Sequence, residues 1–196
     1  MDEIALVPAE QVENCICQEV LDIEVPVMLE LGKQMIDYCA KNGAVGLACP
    51  QIGLPKKMFV FRKTENTFQI VINPTFYPIS KKPIKVLESC MTYPDKSFLV
   101  KRYKEIQAVV FVWEQEKLLK RGYTLTGNKS IVFQHECLHV GNGIDTIGTT
   151  IKQYGTPQID PPIPIDELVY PDADHIITEE ITALENEIKE ELNGEN

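Results

Sequence analysis

The 196-residue sequence lacks the features that mark membrane and secreted proteins. No apolar run approaches the roughly 20 residues that a membrane-spanning helix needs. The N-terminus, Met1-Asp2-Glu3, is acidic and carries neither the positive charge nor the apolar block of a signal peptide. A formal net charge of −10 also disfavours nucleic acid, because phosphates repel such a chain. We therefore expect a cytoplasmic protein with no membrane partner and no direct nucleic-acid binding.

Histidine is scarce, with three residues, and the six cysteines do not form a disulfide framework. Without a secretion signal, scattered cysteines are expected to be reduced thiols. A chain of this length with 44% apolar residues can bury one sizeable core. The sequence thus predicts a single domain over residues 1–196.

Hydrophobic periodicity predicts a mixed architecture. An apolar stripe indicates a helix that begins at Pro26 and ends near Asn42-Gly43. Runs rich in β-branched and aromatic residues then predict antiparallel strands. These are Lys57–Lys63, Thr67–Asn73, Ile84–Ser89, Glu105–Trp113 and Lys117–Thr124, with a hairpin tip at residues 114–116. A further helix should begin near residues 126–128.

The C-terminal part of the chain has a different composition. Residues 148–171 are proline-rich and predict an extended loop. An apolar stripe then indicates an extra amphipathic helix over residues 178–192. Residues 178–196 hold seven glutamates and one lysine, so we do not expect this segment to bind ribosomal RNA. Docking on the body of the protein or on a partner remains open.

The pattern H-E-C-L-H at residues 135–139 has the spacing H-E-x-x-H. Residues four apart lie on one face of a helix, so His135 and His139 can bind one metal ion. Glu136 can then act on water beside that ion. A surface helix that carries two histidines by chance is the alternative, but two of the chain's three histidines fall here.

A catalytic metal needs a third protein ligand, and two locations compete for it. Downstream, His175 and several glutamates follow the motif. Upstream, Cys90 lies in E-S-C-M-T at residues 88–92, and a cysteine alone is most often a buried thiol. Glu88 either orients a ligand or is an ordinary strand residue.

Three stretches together resemble the peptide deformylase family. They are G-L-A-C-P-Q at residues 46–51, the stretch 88–92, and H-E-C-L-H at 135–139. The family's motifs are G-x-G-L-A-x-x-Q, E-G-C-L-S and H-E-x-x-H, in this order. The resemblance covers about residues 26–147 and implies an α+β fold whose antiparallel strands pack around a central helix with both histidines.

This resemblance also implies the role of each site residue. Cys90, His135 and His139 would bind one divalent metal ion, with Fe(II) as the native ion and zinc or nickel as substitutes. Glu136 would be the general acid/base, and Gln51 with the Met91 N–H would stabilise the oxyanion. The substrate would be the N-formyl group of formyl-methionyl peptides and nascent chains. The residues expected to bind that substrate are Val45, Gly46, Leu47, Ser89, Ile131 and Val132.

Four positions depart from the family pattern. Ala44 and Ser89 replace glycines, Met91 replaces leucine, and Leu138 replaces an acidic residue. That acid tends to pair with an arginine at the place of Arg102, so Arg102 is expected to lack its partner here. The source of the chain is left open among bacterial, phage and organellar.

Two other kinds of protein would also explain the histidine pattern. An H-E-x-x-H endopeptidase would take its third ligand downstream of His139. A metal-stapled binding module would need a fourth protein ligand and a closed site. No motif in the sequence supplies that fourth ligand.

Overall fold

The computed structural model describes residues 4–64 and 67–141, with only the backbone of Leu99. The predicted proline-rich loop at 148–171 and the predicted C-terminal helix at 178–192 lie outside these ranges. Within them, no helix combines the length and the apolarity that crossing a membrane requires.

The described residues form three α-helices and seven strands. The helices are α1 (Ala9–Glu13), α2 (Val25–Asn42) and α3 (Gly127–His139), and 3₁₀ turns cover Asp22–Glu24 and Cys49–Ile52. The strands are β1 (Gly46–Ala48), β2 (Met58–Thr64), β3 (Thr67–Pro78), β4 (Ile84–Cys90), β5 (Tyr93–Arg102), β6 (Glu105–Glu114) and β7 (Lys117–Thr126). The prediction of a mixed fold of helices and strands is confirmed.

All strand pairs within the two sheets are antiparallel. Five strands form one sheet in the order β1-β2-β3-β6-β7, and β4 and β5 form a separate hairpin. The predicted tip between β6 and β7 is confirmed, since Gln115 and Glu116 both have positive φ, 49° and 59°. A two-residue turn in which both residues have positive φ has a backbone twist that matches that of the strands on either side.

Strand β2 explains how the sheet comes to lie between two helices. Its side chains alternate, and all of its first four residues are buried. Met58 and Val60 pack in one apolar cluster with α2. Phe59 and Phe61 pack in another with α3, where the Phe59 ring lies 5.2 Å from that of Phe133. Helices therefore cover both faces of the large sheet.

Helix α2 begins and ends as its sequence predicts. Pro26 lies in the first turn, where a missing N–H costs nothing. Gly43 follows the last residue with φ 67°, and its N–H donates to the Cys39 carbonyl. Helix α3 starts after Thr126, within the predicted range 126–128, although the Thr126 side chain makes no capping hydrogen bond.

Two strands were not predicted, and the reason differs for each. Strand β5 begins Tyr-Pro-Asp-Lys, which has no apolar alternation. Among the described strands β5 pairs with β4 alone, so it is an edge strand there, where Pro94 is tolerated. Strand β1 has only three residues, too few for a periodic pattern. Strand β3 also runs five residues beyond its predicted end at Asn73, past an irregularity in its pairing with β6.

Candidate metal centre

Three potential metal ligands meet between β4 and α3. The donor atoms of Cys90, His135 and His139 all lie within 4.8 Å of one another. Cys90 Sγ is 3.3 Å from His139 Nε2, and the two imidazole centroids are 5.1 Å apart, about one helical turn. A thiolate and two imidazoles suit a borderline divalent ion such as zinc or iron. The residues present therefore fit the metal that the motif predicts.

The hairpin β4–β5 brings Cys90 to the helix. Val86, Phe98 and Val100 of the hairpin pack with Ile131 of α3 in a small apolar cluster. The strand register shifts between Ser89 and Cys90, an irregularity that changes the direction of the last side chain. Packing and bulge together place the thiol beside two imidazoles that are more than 40 residues later in the sequence.

The Cys90 thiol is acidic in this position. Burial by itself raises its pKa, but hydrogen bonds with His135 and His139 outweigh burial and lower the pKa to about 4. Cys90 is only 6% exposed. Since the thiolate is the form that binds metals, the side chain is ready for ligation at neutral pH.

Glu88 joins the site to a buried arginine. Its Oε2 lies 2.8 Å from His135 Nδ1, while Arg102 donates to both of its oxygens at 2.8 and 2.7 Å. Burial raises the pKa of Glu88, but the Arg102 charge and His135 outweigh it and leave the pKa lowered. The expectation that Arg102 lacks a partner is wrong, because the Glu88 carboxylate pairs with it. The predicted orienting contact of Glu88 is present.

Glu136 lies beside the three ligands, and its Oε2 has no hydrogen-bond partner among the described residues. The side chain is 3% exposed, and this burial raises the pKa to about 7. Strand β1 passes very close to it. A Cβ on Gly46 would lie 2.2 Å from Glu136 Oε1, so only glycine leaves room for the carboxylate.

Both polar atoms of the Gln51 side-chain amide form hydrogen bonds. Its Oε1 accepts a hydrogen bond from the Ala48 N–H at 2.8 Å, and Nε2 donates to Thr92 Oγ1 at 3.1 Å. Nε2 is also 3.8 Å from Cys90 Sγ. These contacts direct the NH₂ group toward the ligand cluster. Thr92 was not predicted as a site residue, although it ends the motif at 88–92.

A cavity of about 380 Å³ opens beside the cluster. Five of the six predicted substrate-binding residues line it: Val45, Gly46, Ser89, Ile131 and Val132. The sixth, Leu47, is fully buried in the apolar cluster that packs against α2 and does not line the cavity. Gln51, Met91 and Glu136 also face the cavity. Additional lining residues that were not predicted as site residues are Asn42, Gly43, Val86, Leu87 and Asn128.

Curated relatives and solved structures resemble the chain over most of the described part. The peptide deformylase of Leptospira biflexa is 28% identical over 129 residues, which cover 61% of this chain and 70% of that protein. The enzyme of Buchnera aphidicola is 32% identical over 112 residues, covering 54% and 70%. The crystal structure of the Thermotoga maritima peptide deformylase superposes with a TM-score of 0.65 at 23% identity, over 80% of this chain and all of that one.

The family model described as "Polypeptide deformylase" matches residues 1–149, about three quarters of the chain. This range contains all three motifs and every residue of the ligand cluster. The chain therefore belongs to the peptide deformylase family of metal-dependent hydrolases.

Proposed function

We propose that this site removes the N-formyl group from the initiator formyl-methionine of nascent polypeptides. Water is consumed, and the products are formate and a peptide with a free N-terminal methionine. Membership of the deformylase family supports the activity. The observation that carries it is the cluster of Cys90, His135 and His139 beside Glu136, whose Oε2 has no hydrogen-bond partner in the described part of the chain. Such a substrate occurs where proteins are made, which supports a cytoplasmic location.

We assign Cys90, His135 and His139 as the ligands of one divalent ion. When bound, the ion polarises the formyl carbonyl and lowers the pKa of nearby water. Glu88 Oε2 accepts a hydrogen bond from His135 Nδ1, which leaves Nε2 of that ring for ligation. Fe(II) is our proposal for the native ion, with zinc or nickel as functional substitutes. Elemental analysis of anaerobically purified protein tests this choice.

We assign both proton transfers of the hydrolysis to Glu136. Its free Oε2 takes a proton from the attacking water and later gives a proton to the leaving amine nitrogen. A carboxyl with a pKa of about 7 can do both near neutral pH. This placement also explains why β1 carries glycine at residue 46, since any side chain there would displace the carboxylate.

Negative charge develops on the formyl oxygen during attack, and two donors are assigned to it. One is Gln51 Nε2, which its contacts with Ala48 and Thr92 hold near Cys90. The other is the backbone N–H of Met91, the residue after the thiolate ligand. Donors of this kind contribute roughly 2.7–4 kcal/mol each in comparable hydrolases.

The cavity is assigned to the formyl-methionyl end of the peptide. Val45, Ile131 and Val132 supply apolar surface for the methionine side chain. Gly46 and Ser89 supply backbone groups for the peptide, and Leu47 supports β1 from the core side. Ser89 adds a side chain where the family has glycine, so we expect an altered peptide preference rather than an altered reaction.

Substitution of Glu136 tests the proposal. The Glu136→Ala variant should retain its metal, measured by elemental analysis, while formate release from a formyl-Met-Ala peptide falls by at least two orders of magnitude. Glu30→Ala is the matched control, because Glu30 lies on the surface in an exposed pair with Lys33. Full activity in the Glu136 variant would contradict the mechanism.

The same preparations separate this activity from that of an H-E-x-x-H endopeptidase. An unformylated Met-Ala peptide should remain intact, and a formylated longer peptide should lose only its formyl group, as measured by mass spectrometry. Cleavage at an internal peptide bond would instead support the endopeptidase. We propose that residues 1–196 form one functional domain, with the segment after 141 as its C-terminal extension.

A further inference from the structure

A second cavity, of about 210 Å³, lies between the large sheet and α3. It shares no lining residue with the cavity at the metal centre. Helix α3 separates the two: Ile131, Val132 and His135 face the metal centre, while Lys129 and Phe133 face this second space. None of its lining residues has a part in the proposed hydrolysis.

The inner wall of the second cavity is apolar and made of well-packed core residues. Six side chains from four strands and α3 form it: Phe61, Val71, Ala108, Val110, Leu125 and Phe133. All six are at most 8% exposed. The wall is therefore a fixed apolar surface, which favours an apolar occupant over water.

Four polar side chains complete the lining: Lys63 and Lys129, with Gln69 and Tyr123. Neither lysine forms an ion pair with a carboxylate among residues 4–64 and 67–141. Partial burial and the Lys63 charge both lower the pKa of Lys129. The two half-buried ammonium groups thus repel each other in a cavity with an apolar wall, and an anion between them would relieve that repulsion.

We propose that this second cavity binds a small organic carboxylate with an unbranched apolar tail of about six or seven carbons. The carboxylate would accept hydrogen bonds from Lys63 and Lys129, and the tail would lie along the apolar wall. At ~30 Å³ for each water-sized group, the space holds on the order of seven such groups. The expected tail length therefore comes from the volume of the cavity and not from its charge. The inference does not depend on the proposed hydrolysis.

Isothermal titration calorimetry of the full-length chain with octanoate tests the proposal. We expect binding with a Kd on the order of 0.1 mM, from seven buried carbons. Affinity should rise about fourfold for each methylene from butanoate to octanoate. It should then level off for decanoate, because the cavity is full. Octanol has the same tail without the charge and should bind at least tenfold more weakly.

Three variants separate the charge from the cavity. Lys63→Met and Lys129→Met should each weaken octanoate binding at least tenfold. Lys120→Met removes an exposed lysine of β7 that does not line the cavity, and it should leave the Kd unchanged. Ala108→Leu extends a wall side chain into the space, so it should abolish binding while deformylase activity persists.

Several results would overturn the proposal. One is the absence of octanoate binding in the calorimetric titration of the full-length chain, even if another ligand binds in the cavity. Another is octanoate binding that survives Ala108→Leu in a folded protein, shown by an unchanged far-UV circular dichroism spectrum. Equal affinities for octanoate and octanol would also contradict it, since the lysines would then have no part in recognition.

Discussion

Replacing Gly46 by alanine provides a direct test of the position of the Glu136 carboxylate. The added Cβ would lie 2.2 Å from Oε1 and 2.7 Å from Cδ, whereas ordinary contact begins near 3.4 Å. The carboxylate must therefore move by about 1 Å, or β1 must shift away from it. A 1 Å misplacement of a reacting group costs about 10²-fold in rate. We expect kcat for formate release to fall by about that factor, with the metal content unchanged.

Gly32→Ala is the matched control, because it introduces the same methyl group into another crowded position. Its Cβ would lie 2.6 Å from the end of the Ile70 side chain, on α2 and away from the metal centre. Both variants should lose about 1–3 kcal/mol of stability through overpacking, measured by urea denaturation. In Gly32→Ala, the gain in helix propensity offsets part of that loss. Only Gly46→Ala should lose activity, and equal kcat values for the two folded variants would refute the reasoning.

Three further predictions concern the ligands and the charges around them. Glu88→Ala leaves the fully buried Arg102 without its carboxylate, so the free energy of unfolding in urea should fall by about 3–5 kcal/mol. In the exposed control Glu30→Ala it should change by no more than about 0.5 kcal/mol. A loss under about 1 kcal/mol in Glu88→Ala would contradict the stabilising role of the buried pair. Cys90→Ser should bind less than one metal ion per chain after dialysis, whereas Cys15→Ser keeps it; retained metal in the first would refute ligation by the thiolate. The pKa of Glu24 is lowered by the hydrogen bond from the Leu21 N–H and then by Lys56. The carboxylate of Glu24 therefore stabilises the folded state above the unfolded pKa, and this stabilisation is lost as pH falls through the folded pKa. The difference in Tm between wild type and Glu24→Gln should accordingly be larger at pH 7 than at pH 3, and the opposite order would reverse the assigned sign.

Features that depend on neighbours in sequence were predicted well. The spacing of four between His135 and His139 places both rings on one face of α3, whatever the rest of the chain does. The limits of α2 follow from Pro26 and Gly43, whose backbone preferences are local. The β6–β7 turn was predicted from the polar residues 114–116 between two strand patterns, and Gln115 and Glu116 have positive φ there.

Features that depend on long-range packing were not predictable in this way. Strand β5 exists because it pairs along β4 and packs Phe98 and Val100 near Ile131, although its first residues resemble a loop. The Leu47 side chain points toward α2 and not into the cavity, because that face of the three-residue strand β1 packs on α2. Cys90 could be predicted as a ligand only through the family resemblance. Sequence spacing alone does not show that residues 90 and 135 lie close together in the fold.

Arg102 keeps a carboxylate partner although residue 138 is leucine and not an acid. An acid at residue 138 would be a second carboxylate for a guanidinium that already donates two hydrogen bonds to Glu88. Burying an unpaired charge costs several kcal/mol, and Leu138 is only 7% exposed. Leucine at 138 therefore avoids a further buried negative charge two residues along the chain from Glu136. Since Glu88 also contacts His135, one strand carboxylate both neutralises the buried arginine and orients the ligand ring.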